Sequence, residues 1–224
     1  MIRAILFDCD GLLVDSETLG MNVASQVCAE FDIELEDDEL RNFIGVTDEK
    51  WYKDLVAKKG LGLAVSRLLA RQFELYEAQL PTVQAFPGAR ELPLQLVAIG
   101  YPIAIVSGST RTQIDIVLKN LSLNDVFDVI VTSEDVGDSS KPDPRGYELA
   151  LQKLNETRAS GNRIQPAEIL VLEDAVSGIK AALTAGMLVI GVKNVGIQDL
   201  SEATNRVSTL ADLQNRDVND WLTI

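Results

Sequence analysis

Residues 7–16 read FDCDGLLVDS, and the six residues before them, MIRAIL, form a short and almost wholly apolar run. This junction decides the fold. A continuous apolar run that ends in two carboxylates and a glycine is the pattern of a buried strand whose C-terminal tip carries chemistry. Side chains alternate along a strand, so Asp8 and Asp10 are expected on one side and Cys9 on the other. Two like charges about 4 Å apart repel by about 4 kcal/mol at an effective dielectric of 20. Burial raises that cost, so a cation or a proton has to compensate the pair.

Four similar runs follow: PIAIVS (102–107), DVIVTS (128–133), EILVLED (168–174) and MLVIGV (187–192). Helical spacing fills the intervals. Ile114, Val117, Leu118 and Leu121 recur at i, i+3, i+4 and i+7, as do Tyr147, Ala150, Leu151 and Leu154. Val176, Ile179 and Leu183 continue the pattern until Gly186. Strand and helix in alternation predict an α/β fold, a doubly wound parallel sheet of Rossmann-like type.

The alternation breaks once. Residues 17–81 read as purely helical, with Leu19, Val23, Val27 and Phe31 on one face, followed by DEKWYKDLVAKKG (48–60) and VSRLLARQFELYEAQL (65–80). We therefore expect a core domain of 1–15 and 83–224 and an inserted α-helical cap domain of 16–82, hinged near Asp15–Ser16 and Pro81–Phe86. The acidic run ELEDDEL (34–40) reads as a solvated helix start, and NETRASGNRIQPAE (155–168) as an extended surface loop. Pro93 within ARELPLQLVAIG implies a helix that starts late or kinks.

With 224 residues, 46% of them hydrophobic, and a mean hydropathy of +0.10, the composition is that of a globular protein. A chain of this length buries about 70–75% of its unfolded surface. The net charge of −14 argues against nucleic acid or anionic membrane as a partner, because phosphate contacts need clustered Lys and Arg. There is no histidine, which excludes Ser-His-Asp and Cys-His triads and His-based zinc sites. The two cysteines, Cys9 and Cys28, have no metal-type spacing, fall on apolar faces and fit a reducing compartment. Asp8 and Asp10 interrupt any signal-peptide core, and no run of 18 apolar residues occurs. A cytoplasmic protein is expected, and a monomer, since nothing suggests an obligate interface.

In open α/β sheets, ligands bind beyond the carboxyl ends of the strands. Besides Asp8 and Asp10, that rim receives Ser107 after PIAIV, Lys141 in SSKPDP, and Glu173 with Asp174 after ILVL. Hard oxygen donors with room for water and a phosphate suit Mg²⁺. Asp8, Glu173 and Asp174 contribute −3, and Mg²⁺ with Lys141 contributes +3, provided that Asp10 is protonated as a general acid would be.

DCDGLLVDS, Ser107 in IVSGS, KPDP and LEDAVSGIKAALTAG together resemble the four ordered motifs of the haloacid dehalogenase superfamily, and the helical insert resembles its helical-cap branch. In texture the chain is similar to sugar-phosphate phosphatases and β-phosphoglucomutases. The resemblance implies that Asp8 attacks phosphorus to form an aspartyl-phosphate, and that Asp10 protonates the leaving group and then activates water. It implies that Mg²⁺ is held by Asp8, the backbone carbonyl of Asp10 and Asp174, with Glu173 supporting directly or through water. It implies too that Ser107, the Gly108 N–H and Lys141 hold the phosphoryl oxygens. The expected activity is hydrolysis of a small phosphate ester, a sugar or polyol phosphate.

Each residue also has a plainer reading. Asp-Gly is a common turn, Ser107 could cap a helix starting near Thr110, Lys141 could be a loop lysine, and Glu173 or Asp174 could cap the next helix. Glu17 could touch substrate or serve as a first-turn acid, and Trp51 could line the substrate or fill the cap core. Two alternative functions stand beside the phosphatase. A mutase of the β-phosphoglucomutase type uses a cap histidine and a cap arginine, and here Gly20 and Asp48 occupy those places. A non-enzymatic phospho-signalling module would carry its aspartate at a middle strand, whereas here the acids open the chain.

Overall fold

Among the described residues, six strands form: Ala4–Phe7 (β1), Ile103–Val106 (β2), Val129–Val131 (β3), Ile169–Glu173 (β4), Leu188–Val192 (β5) and Asn205–Val207 (β6). They belong to a computed structural model that describes residues 1–43, 46–156, 158–194 and 198–223. All pair in parallel, in the order β3-β2-β1-β4-β5-β6. The chain winds outward from β1 to β3, then returns to the other side of β1 for β4. The crevice at the C-terminal ends of β1 and β4 is thus the switch point of a doubly wound sheet, where this architecture admits ligands. Phe7 pairs with Ile105 on one side and Leu172 on the other, so the residues that follow these three come out side by side. Two details differ from expectation. β1 stops at Phe7, leaving both aspartates in the loop, and β6 was not anticipated, because three residues reading NRV carry no apolar run.

The helices are Ser16–Glu30 (α1), Asp37–Arg41 (α2), Asp48–Lys59 (α3), Val65–Gln79 (α4), Glu91–Ala98 (α5), Arg111–Leu121 (α6), Ser133–Val136 (α7), Arg145–Asn155 (α8) and Val176–Thr184 (α9). No helix among the described residues is long and apolar enough to cross a membrane. The chain divides into two compact units, Met1–Asp15 with Gln84–Ile224, and Ser16–Val83.

The first unit is the α/β body. Leu6, Val106, Val131, Val171 and Val189 of the sheet pack with Tyr147, Ala150 and Leu154 of α8 and with Ile179 and Ala182 of α9. Each such burial contributes about 1.5–3 kcal/mol for a large aliphatic side chain. The helical spacing read from the sequence is therefore the spacing of one buried face. The two chain passages at the edge of this unit pair with each other: Asp15 N–H donates to Gln84 O at 2.8 Å and Phe86 N–H to Leu13 O at 3.0 Å. Pro93 sits in the first turn of α5, which starts late at Glu91, so its missing N–H leaves no helical bond unmade. The expected loop 155–168 is pinned at its middle: Asn155 Nδ2 donates to Ile164 O at 2.9 Å, Ile164 N–H donates to Asn155 Oδ1 at 2.8 Å, and Ile164 is buried. Thr157 of that loop lies outside the described residues.

The described residues of the second unit form helices and no strand. Val23 and Val27 of α1, Trp51, Tyr52 and Leu55 of α3 and Leu68 of α4 form its core. Thr47 caps α3 by accepting Lys50 N–H at 3.3 Å, and Gly60 ends it in the left-handed region at φ 62°. The acidic run 34–40 is not simply solvated. Glu39 is buried, closes a capping box with Glu36, and bonds Lys58 at 2.8 Å and Lys59 at 2.9 Å. Ile44 and Gly45, just before the expected second cap position at Asp48, lie outside the described residues.

Candidate active site

Two glycines let the strand tips meet. Asp8 N–H donates to Leu172 O at 3.1 Å, carrying the β1–β4 ladder one residue past the strand, and the chain then turns through Gly11 at φ 77°. A Cβ on Gly11 would lie 2.2 Å from Asp174 Oδ2, so only glycine allows the loops after β1 and β4 to approach this closely. On α9, a Cβ on Gly178 would fall 1.6 Å from Glu173 Oε1. The wholly buried Glu173 occupies the space which that side chain would fill.

Lys141, carried in from the segment after α7, bridges two acids. Its Nζ donates to Asp8 Oδ1 and to Glu173 Oε1, each at 2.5 Å. Tyr147 OH donates to the same Glu173 oxygen at 2.8 Å, and Ala175 N–H donates to Oε2 at 3.1 Å. Three of the roughly four acceptor sites of that carboxylate are thereby in use. Asp10 faces two hydroxyls: Ser107 Oγ and Ser109 Oγ donate to its Oδ2 at 3.0 and 2.7 Å. Ser109 N–H in turn donates to Ser107 Oγ at 2.9 Å. Thr110, not Ser107, caps α6, accepting Gln113 N–H at 3.3 Å. Gly108, between the two serines, faces open space.

Asp8, Glu173 and Asp174 each bring a carboxylate oxygen within 4.8 Å of the others. Burial drives the Asp8 carboxyl up to about 7, and Glu173 and Asp10 push the same way, against the opposing pull of Lys141. For Lys141, burial works to lower the ammonium, but Asp8 and Glu173 outweigh it and hold the group well above its ordinary value. One lysine does not neutralise this cluster. A cavity of about 250 Å³ adjoins it, with Val106, Val131 and Tyr147 among its apolar walls and Ser107, Gly108 and Lys141 at its polar side.

The structure brings Asp8, Asp10, Ser107, Lys141, Glu173 and Asp174 together in the first unit. Three contributors were not read from the sequence. Ser109 lay hidden in a Ser-Gly-Ser-Thr run that also fits a turn. Tyr147 looked like one position of an apolar helix face, although a buried phenol needs a partner for its hydroxyl. Asn194, whose Nδ2 donates to Gly11 O at 2.7 Å and to Leu12 O at 3.2 Å, carried no signal, being 183 residues from the loop that it clasps. Glu17, Asp48 and Trp51 lie in the helical unit. Glu17 is half-buried in the first turn of α1. Burial raises the Asp48 carboxyl while a bond to the Gln72 side chain opposes it. Trp51 is buried, packs edge-on against Phe43 and Tyr52, and donates its Nε1–H to Glu39 O at 2.8 Å.

Comparison with known families follows the same residues. The profile of the family described as haloacid dehalogenase-like hydrolase matches residues 5–192, a span that holds every acid and the lysine of this cluster. The chain belongs to this family. Among curated haloacid dehalogenase-like relatives, validoxylamine A 7′-phosphate phosphatase of Streptomyces hygroscopicus subsp. limoneus is 30% identical over 217 residues, covering 96% of this chain and 97% of its own. A phosphorylated carbohydrates phosphatase of Thermotoga maritima is 26% identical over 187 residues, covering 83% of this chain and 82% of its own. A solved haloacid dehalogenase family hydrolase of Deinococcus radiodurans, with bound phosphate and sodium, superposes with a TM-score of 0.77 at 28% identity, covering 95% of this chain and 93% of that one.

Proposed function

We propose that this haloacid dehalogenase-like hydrolase is a Mg²⁺-dependent phosphatase of small phosphorylated metabolites, with sugar or polyol phosphates as its substrate class. One observation carries the reading: a buried lysine ties the first aspartate to the acid of the fourth strand, while two hydroxyls address the second aspartate. The carbohydrate-phosphate activity named for the Thermotoga relative supports the substrate class.

The donor set fits a hard divalent cation. Three carboxylate oxygens lie within 4.8 Å of one another, and burial lifts Asp8 to about 7, a charge imbalance that one lysine leaves uncorrected. Asp8, the Asp10 carbonyl and Asp174 would hold Mg²⁺, with Glu173 supporting directly or through water. Bound there, the ion would keep Asp8 ionised and draw charge from the phosphoryl oxygens.

Asp8 then attacks phosphorus in line. A bond forms from its carboxylate oxygen to phosphorus as the bond to the ester oxygen breaks, giving an aspartyl-phosphate and an alkoxide. Asp10 supplies the alkoxide with its proton. Since Ser107 and Ser109 both donate into Oδ2, Oδ1 is the oxygen from which that proton would be given. In the second step Asp10 takes a proton from water, which attacks phosphorus, releases phosphate and restores Asp8. Ser107, the Gly108 N–H and Lys141 hold the phosphoryl oxygens where transition-state charge is spread.

The helical unit, in this reading, is the cap that selects the leaving group, and the enzyme works as a cytoplasmic monomer. Asp8→Asn should lower Mg²⁺-dependent phosphate release from a panel of sugar phosphates by at least about a thousandfold. Wild-type turnover in that variant would remove the nucleophile from the scheme. Incubation with β-glucose 1-phosphate and a bisphosphate primer should yield inorganic phosphate and no glucose 6-phosphate. Isomerisation there would replace hydrolysis by the mutase reaction.

A further inference from the structure

We infer that Tyr147 is a positioning residue: its hydroxyl fixes the Glu173 carboxylate and, through it, aims the Lys141 ammonium at the phosphoryl site. The kinetic part of this inference rests on the phosphatase reading; the geometric part does not.

Tyr147 is the third residue of α8 and is fully buried. Its hydroxyl and Lys141 Nζ converge on one oxygen of Glu173, at 2.8 and 2.5 Å, while Ala175 N–H takes the other oxygen at 3.1 Å. Donors from three separate segments therefore set the plane of that carboxylate, and Gly178 leaves it the room to lie there. An ammonium has three N–H donors. Two are committed, to Asp8 and to Glu173, and their directions decide where the third points. A rotation of Glu173 would swing that third donor away from a phosphoryl oxygen.

The tie is needed because packing alone does not hold the lysine. Lys141 borders the cavity of about 250 Å³, so its flexible four-carbon stem has space to move into on that side. On the cavity side, the two hydrogen bonds are what restrain the ammonium. The tyrosine ring and hydroxyl also serve different ends. The Lys141 Nζ lies 5.3 Å from the ring centroid, a cation–π contact that phenylalanine would preserve. The apolar face of α8 would be equally well filled by phenylalanine. The hydroxyl is the part that packing does not require.

Tyr147→Phe isolates it. Against a sugar phosphate that the wild type hydrolyses, this variant should lose about tenfold in kcat with KM changed less than about twofold, since the lost alignment matters most in the transition state. An unchanged kcat would overturn the inference. A second measurement needs no turnover: the ¹⁵N signal of the Lys141 ammonium, identified by its loss in Lys141→Ala. Its hydrogen exchange should be about tenfold faster in Tyr147→Phe than in the wild type. In a Glu173→Gln background the same substitution should add nothing. Unchanged exchange, or an equal increment in both backgrounds, would overturn the inference, because Tyr147 would then not act through Glu173. If no phosphate ester were hydrolysed, the phosphatase reading would fall while the ammonium signal still judged Tyr147.

Discussion

Gly178 shows how one missing side chain sets the chemistry. In an ordinary helix interior, Gly→Ala stabilises by about 1 kcal/mol. Here the new Cβ would stand 1.6 Å from Glu173 Oε1, so either the carboxylate or the start of α9 must move. Gly178→Ala should therefore destabilise the protein by about 1–3 kcal/mol in urea titrations, and should reduce phosphate release at least about tenfold by breaking the Lys141 tie. A variant more stable than the wild type would show that the site tolerates the methyl group. At this scale the acids were legible, because charged residues at the tips of apolar runs have little structural reason to be there, and Lys141 was legible through KPDP in its place among the ordered motifs. Ser109 and Tyr147 were not, because hydroxyls in turns and aromatic rings on helix faces have ordinary structural uses.

Among the elements, the α2–α3 region ties pH to stability. The Glu36 backbone N–H, together with Lys58 and Lys59, holds the Glu39 carboxyl down to about 2 from its ordinary 4.5. A carboxyl lowered by folding stabilises fully above its unfolded value, and that stabilisation is lost as pH falls through the folded one. The thermal midpoint of the wild type should thus fall more steeply between pH 4.5 and 2 than that of Glu39→Gln, followed by circular dichroism. Parallel curves would mean that the pairing contributes nothing. The sequence read this run as solvated because its partners lie 19 and 20 residues downstream, beyond the reach of local spacing. Two helix starts, by contrast, were legible to the residue: α3 and α4 begin at Asp48 and Val65, where the quoted runs begin. Apolar period and caps are local signals, and a short edge strand such as β6 has neither.

For the molecule as a whole, the acidic cluster predicts a metal-linked stability. Mg²⁺ at millimolar concentration should raise the thermal midpoint by a few degrees, chelation should reverse the rise, and Asp174→Asn should abolish it. Asp48→Asn, in the helical unit, should leave the rise intact. A midpoint indifferent to Mg²⁺ would separate the carboxylates from any divalent ion. By itself the sequence determined the α/β class, the helical insert and the acids at the strand tips, because periodicity and composition act over a few neighbouring residues. Only the tertiary structure decided which groups share a proton or a charge. Lys141 reaches Asp8 across 133 residues and Glu173 across 32, and Tyr147 reaches Glu173 across 26. Those distances collapse only because β1 lies between β2 and β4 in parallel register, and no local pattern records which strands become neighbours.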